Sequence, residues 1–253
     1  MKEILTRLPI RTNKPRENGL TMVMDKGLSL RQAEDFLSSS HDHTDIIKLG
    51  FGTSIITTNV ADKIKLYQDN GILVYTGGTL FEAFAIRNQL EDYKKYITNI
   101  GINMIEISDG SINLDHDEKC KLITNFSKEF QVISEVGSKD PTIKINSRNW
   151  IKWIQNELSA GSWKVITEAR EGGNIGICND DGSIKSKLIN HITEEIDPKN
   201  IIWEAPQKNQ QVWFLNKFGA NVNLGNIAPE ELISLESLRL GLRGDTFNYF
   251  INK

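Results

Sequence analysis

The sequence predicts a single (β/α)8 TIM barrel spanning residues 1–253. Three observations carry this. Short apolar runs rich in β-branched residues recur eight times along the chain, the mark of buried parallel strands. Each run is followed by a longer stretch with helical spacing, and no Pro/Gly/Ser-rich linker or break in composition divides the chain. Such strict alternation in about 250 residues is what a closed parallel barrel requires. A doubly wound open sheet is the alternative architecture, and it has one local signal. Gly50-Phe51-Gly52-Thr53-Ser54 looks like a dinucleotide loop, but it lacks the third glycine and follows the second strand rather than the first.

The predicted strands, in order, are Leu20–Asp25, Asp45–Leu49, Ile72–Tyr75, Met104–Ile107, Val132–Val136, Lys164–Glu168, Ile201–Glu204 and Asn221–Leu224. Helices are expected near 29–39, 60–70, 80–99, 117–129, 147–160, 184–196, 208–219 and 229–241. Ser29 with Gln32 forms a capping-box pattern, and Ser147 and Pro229 mark other helix starts. Gly71, Gly101, Gly161 and Gly219 stand where left-handed C-caps belong, directly ahead of the next strand.

Composition excludes several classes of function. The chain has 39% hydrophobic and 25% charged residues and a formal net charge of −3, a balance suited to a folded soluble core. No basic stripe is available for a nucleic-acid backbone, and no apolar run reaches membrane-spanning length. The expectation is a cytoplasmic protein that binds neither nucleic acid nor membrane. Cys120 and Cys178, 58 positions apart, fit neither a disulfide framework nor a metal-ligand spacing and are read as packing residues. His41, His43, His116 and His191 fall away from strand ends, which argues against zinc.

The chemistry is expected at the strand ends. Nearly every apolar run closes on an ionisable or glycine-rich group, and Glu106, Glu135, Glu168 and Glu204 come from four consecutive strands. The C-terminal ends of barrel strands open on one face, so these four carboxylates would converge, opposed by Lys48 and by Lys26 or Arg170. Four such acids would repel one another without a cation. A hard divalent ion, Mg²⁺, is therefore expected, and which of the four ligate it is not set by spacing. Backbone amides around Gly225 and Asn226 are expected to bind phosphate, as the loop after the last strand does in other barrels. Gly172-Gly173 offers a second amide nest, and Arg243 sits in a C-terminal loop that could lie over the site.

The strand-end phrases form a recognisable set. They are Asp25-Lys26-Gly27, Lys48-Leu49-Gly50-Phe51-Gly52-Thr53-Ser54, Gly77-Gly78-Thr79-Leu80-Phe81-Glu82, Glu106-Ile107-Ser108-Asp109-Gly110, Glu135-Val136-Gly137, Glu204-Ala205-Pro206-Gln207-Lys208, Val222-Asn223-Leu224-Gly225-Asn226-Ile227-Ala228 and Gly241-Leu242-Arg243-Gly244-Asp245-Thr246. With these phrases in order over residues 18–247, the sequence resembles the phosphosulfolactate synthase family of coenzyme M and sulfolactate biosynthesis. Two phrases depart from the family pattern. Ser138 replaces a first lysine after Glu-Val-Gly and leaves Lys139, and Glu168-Ala169-Arg170-Glu171-Gly172-Gly173 varies a Glu-Gly-Arg-Glu-Ser-Gly phrase.

The resemblance implies a Mg²⁺-dependent carbon-sulfur lyase that adds sulfite to phosphoenolpyruvate, giving (2R)-phospho-3-sulfolactate. On that reading Glu106, Glu135 and Glu204 are assigned to the metal and Lys48, Lys139, Glu168 and Asp25 to the chemistry. Substrate binding falls to Lys26, Arg170, Gly225, Asn226 and Arg243. Lys48 or Lys139 is the expected proton donor to C2, with a pKa lowered by a neighbouring cation. The alternatives are a barrel lyase acting on another phosphorylated enol or carboxylate, or a non-catalytic relative, since the family also resembles plant heat-stress proteins. A homo-oligomer is the default expectation for such a barrel.

Overall fold

A computed structural model describes residues 4–140, 142–143 and 145–248; the two ends of the predicted 1–253 domain, residues 1–3 and 249–253, lie outside the described residues. The eight expected strands all form: β1 Thr21–Asp25, β2 Ile46–Leu49, β3 Leu73–Thr76, β4 Met104–Ile107, β5 Gln131–Val136, β6 Lys164–Thr167, β7 Ile201–Glu204 and β8 Leu224–Ile227. All pairings are parallel, in the order β3-β2-β1-β8-β7-β6-β5-β4. β3 lies against β4 without a ladder between them, so the ring is nearly closed, a (β/α)8 TIM barrel.

Ten helices wrap it among the described residues: α1 Leu30–Ser40, α2 Thr53–Ile56, α3 Val60–Asp69, α4 Gly78–Ala85, α5 Leu90–Asn99, α6 His116–Phe126, α7 Ser147–Ser159, α8 Ser186–Glu195, α9 Lys208–Phe218 and α10 Leu232–Arg239. The capping box at Ser29 forms as expected, with Gln32 N donating to Ser29 Oγ at 3.2 Å and Ser29 N to Gln32 Oε1 at 2.9 Å. The single helix expected over 80–99 is two. Asn88 turns left-handed (φ 56°), separating the apolar α4 from the amphipathic α5. None of the helices is long and apolar enough to cross a membrane.

Strand alternation builds two cores. Met22, Ile46, Tyr75, Met104, Ile133, Ile166 and Ile202 pack inside the barrel, while Val23, Ile47, Val74, Ile105, Val132, Val165 and Trp203 face the helices. Because strand side chains repeat every two residues, the position two beyond each interior residue also points inward, one layer nearer the strand C-termini. Those positions are Met24, Lys48, Gly77, Glu106, Glu135, Glu168 and Glu204.

The eighth strand lies three residues later than predicted. Asn221 and Asn223 serve as polar ties rather than ladder residues. Asn223 Nδ2 donates to Lys199 O and Ile201 O, both at 3.0 Å, and its Oδ1 accepts from Leu20 N at 3.0 Å. The true strand carries Gly225, a residue that weakens strand propensity. A Cβ there would meet the Met22 methyl and lie 3.0 Å from Ile202 Cγ2, so the crowded barrel interior favours the glycine.

Candidate active site

The inner layer at the C-terminal end of the barrel forms the floor of a cavity of about 270 Å³ lined by Met24, Lys48, Gly50, Phe51, Gly77, Gly78, Thr79, Glu106, Glu135, Lys139, Glu168, Arg170, Glu171, Glu204 and Asn226. The four glutamates expected to converge do so, and each is at most 2% exposed. Lys48 Nζ stands between three of them, 3.2 Å from Glu106 Oε2, 3.5 Å from Glu135 Oε2 and 3.4 Å from Glu204 Oε1. Lys139 Nζ approaches from β5's end, 3.4 Å from Glu135, 3.7 Å from Glu82 and 3.8 Å from Glu168.

Backbone donors fix the carboxylates. Gly78 N donates to Glu106 Oε1 at 2.8 Å, bridging the β3–β4 seam; a Cβ on Gly78 would strike that carboxylate and Ser108, so only glycine permits the approach. Ala169 N donates to Glu204 Oε2 at 2.8 Å and Arg170 N to Glu168 Oε1 at 2.6 Å.

One oxygen from each of Glu135, Glu168 and Glu204 lies within 4.8 Å of the others. Glu135 Oε1 and Glu168 Oε2 are buried and accept no hydrogen bond. Buried anionic oxygens without donors are costly, and a hard cation satisfies them with the oxygen ligands it prefers. The donor set therefore fits a divalent ion. The structure brings Glu168, rather than Glu106, within this spacing of Glu135 and Glu204. Glu106 Oε2 is likewise buried without a hydrogen-bond donor, 3.2 Å from Lys48 Nζ, while its Oε1 accepts from Gly78 N.

Charge crowding sets the proton affinities. Burial, reinforced by Glu135 and Glu204, holds Glu168 well above the ordinary carboxylate range. Burial also raises Glu204 against the pull of Lys48 and pushes Glu106 up to about 7. Burial works the same way on Glu135, but Lys139 and Lys48 outweigh it and bring that group down to about 2. Around the metal-free carboxylates both lysines shift upward. Burial alone would lower Lys48, yet Glu106, Glu135 and Glu204 keep it well above its usual value, and Glu135 and Glu168 do the same for Lys139. Both therefore stay charged in the metal-free site.

The other expected site residues separate. Arg170 and Asn226 line the cavity, both in the left-handed region (φ 57° each), and the Arg170 guanidinium donates to Lys139 O. Lys26 is on the rim, 2.7 Å from Glu171. Asp25 is not among the residues that line the cavity. Its Oδ1 accepts from Gly27 N and Leu28 N at 2.8 and 2.7 Å, and its Oδ2 meets Lys63 Nζ at 2.7 Å and Tyr67 OH at 3.0 Å. With every acceptor site filled, it anchors the β1–α1 loop. Gly225 lies in the ladder, its carbonyl accepting from Ala205 N at 3.0 Å, and it does not line the cavity. Arg243 turns the chain beyond α10, accepting at its carbonyl from Thr246 N at 2.9 Å, and does not line the cavity.

Two supporting groups were not expected from the sequence. Glu82 on α4 accepts from Ser108 Oγ and from Ser111 N at 3.1 Å, fixing the loop that flanks Lys139. Behind β5, Lys119 Nζ is buried 2.8 Å from both Asp109 and Glu157 and donates to Glu135 O at 2.6 Å. Lys119→Met leaves two carboxylates without their cation and is expected to destabilise the fold by about 3–5 kcal/mol, read from urea unfolding.

A pH dependence follows for metal-free protein. Burial raises both Glu106 and Glu157 to about 7, so the folded state binds their protons more tightly than the unfolded one. That stabilisation is complete below the ordinary carboxylate range and is lost as pH rises through about 7. The melting temperature of chelated protein is expected to carry this loss between about pH 5 and about pH 8, and Glu157→Gln to flatten the slope.

Fold and site together define a parallel barrel enzyme whose strand ends gather acids and lysines round a small polar cavity. The family model described as "(2R)-phospho-3-sulfolactate synthase (ComA)" matches residues 9–245. Proteins named phosphosulfolactate synthase match over nearly their whole length. That of Bacillus subtilis is 41% identical over 98% of this chain and 99% of its own, and that of Methanothermobacter thermautotrophicus 43% identical over 94% and 95%. The chain belongs to the phosphosulfolactate synthase family. Solved structures share the fold alone: the YdjI aldolase of Escherichia coli K12 superposes with TM-score 0.56 at 8% identity over 93% of this chain and 88% of that one. The 3-hexulose-6-phosphate synthase of Salmonella typhimurium gives 0.52 at 13% identity, over 92% and 99%.

Proposed function

We propose that this chain joins sulfite to phosphoenolpyruvate, giving (2R)-phospho-3-sulfolactate in the cytoplasm, a lyase reaction in the carbon-sulfur class. The observation that carries the reading is the buried triad Glu135, Glu168 and Glu204 with its donorless oxygens, facing two charged lysines in a cavity near the small end of ligand-site volumes. The triad would hold Mg²⁺, which would supply positive charge where the substrate carboxylate gains electron density.

The chain's own residues do the rest. The sulfite sulfur lone pair forms the C–S bond at C3, the C2=C3 pair moves toward C2 and the carboxylate, and a proton then completes C2. Lys139 is the donor: its side chain is 19% exposed, against 9% for Lys48, and it lines the cavity. Lys48 is held among three carboxylates and balances their charge. Arg170 and Asn226 face the phosphate, and Lys26 with Glu171 borders the way in. Donation from one fixed side gives one configuration at C2.

The test is an assay of purified protein with phosphoenolpyruvate, sulfite and Mg²⁺. Sulfite- and metal-dependent loss of the enol absorbance is expected. Enol loss without sulfite dependence would move the assignment to another reaction of a phosphorylated enol.

A further inference from the structure

We propose that Phe51 is a specificity-determining residue that touches substrate, its ring forming the apolar wall against which the C3 methylene of a small phosphorylated enol acid packs. The inference rests on the function proposed above.

Phe51 adopts φ 52°, ψ 30°, a left-handed conformation that is a genuine outlier for a bulky residue. The loop already places glycine on both sides of it, Gly50 packed on Met24 and Gly52 itself left-handed at φ 71°. A glycine at 51 would hold the same backbone without strain, so the benzyl group must contribute something else.

It does not contribute core packing. Phe51 is 49% exposed, joins neither hydrophobic cluster and pairs with no other aromatic ring among the described residues. What it does is line the cavity, where Met24 is the only other apolar side chain. Phe51 follows β2 and Arg170 follows β6, strands four places apart in the eight-strand ring. The ring thus stands across the mouth from Arg170. A substrate whose phosphate and carboxylate engage charged groups has one apolar part, its methylene carbon, and this wall is the matching surface. Burying that carbon also keeps water from the reacting centre.

The test compares wild type with Phe51→Gly and Phe51→Leu, using phosphoenolpyruvate and its 3-methyl homologue as competing substrates, with thermal melts on each protein. Relief of strain offsets the added freedom of the unfolded chain in Phe51→Gly, so its melting temperature is expected to equal or exceed that of wild type. Its kcat/KM for phosphoenolpyruvate is expected to fall about 10- to 100-fold, the effect of exposing one aromatic contact. Its preference for phosphoenolpyruvate over the bulkier homologue should fall at least about 10-fold, a methyl group being worth about that much in a fitted pocket. Phe51→Leu should recover part of both. A purely structural phenylalanine would instead lower the melting temperature and leave the substrate ratio alone. Active wild type with a Phe51→Gly ratio within about twofold of it overturns the assignment by itself. Wild type without sulfite-dependent turnover overturns the functional reading, and the Phe51 assignment falls with it.

Discussion

Glu168→Gln is expected to abolish divalent-ion binding and lower turnover by about 10³-fold, several kcal/mol of electrostatic stabilisation, while leaving the metal-free fold at least as stable as wild type. The two effects have one cause. Glu168 is 1% exposed and its Oε2 accepts no hydrogen bond, and burial beside Glu135 and Glu204 opposes its ionisation. A neutral amide keeps the bond from Arg170 N at Oε1 and removes the charge that burial beside Glu135 and Glu204 opposes. A cation needs that charge. Titration calorimetry with Mg²⁺ and thermal melts on the same chelated protein read both effects. A variant that binds Mg²⁺ with wild-type affinity would remove Glu168 from the ligand set and return Glu106 to it.

The second large effect separates the two lysines. Lys139→Met is expected to lower kcat by about 10²- to 10⁴-fold, the usual worth of a positioned acid, with a much smaller change in the KM for phosphoenolpyruvate. Lys48→Met should fail differently. It strips the only cation among the described residues within 3.5 Å of Glu106 and Glu204 and leaves buried charge uncompensated, at about 3–5 kcal/mol of stability. Steady-state kinetics beside urea melts distinguish them. Equal loss of stability in both variants with matching kinetics would contradict the division of labour.

The four glutamates were legible because period-two alternation is strict inside a barrel: each stands two residues after an interior Met104, Ile133, Ile166 or Ile202. Asp25 misleads because it too ends a strand, yet odd parity after Met22 and Met24 turns it outward, to Lys63 and Tyr67. The shifted β8 has a different cause. Val222 and Leu224 among asparagines look like a strand, whereas Gly225-Asn226 looks like a turn, and only interior crowding against Met22 and Ile202 makes the glycine a strand residue.

Some missed residues left a signal. Glu157 occupies the same helical stripe as Trp150 and Ile154, and Lys119 that of Ile123, so a lone charge sits on each apolar face. Their pairing across α6 and α7 is a tertiary fact, as is the bond from Gly78 N to Glu106 across the β3–β4 seam. Phe51 was visible only as part of a glycine-rich phrase; its left-handed backbone (φ 52°) is not encoded in residue type.

The proposed reaction is addition across C2=C3 with a proton delivered at C2. The most direct measurement is turnover of phosphoenolpyruvate and sulfite with Mg²⁺ in deuterium oxide, with the product examined by mass and by configuration. The predicted product carries one phosphate, one sulfonate and a single deuterium at C2, in one configuration. Release of phosphate and pyruvate, or a sulfonate product without deuterium at C2, would contradict it.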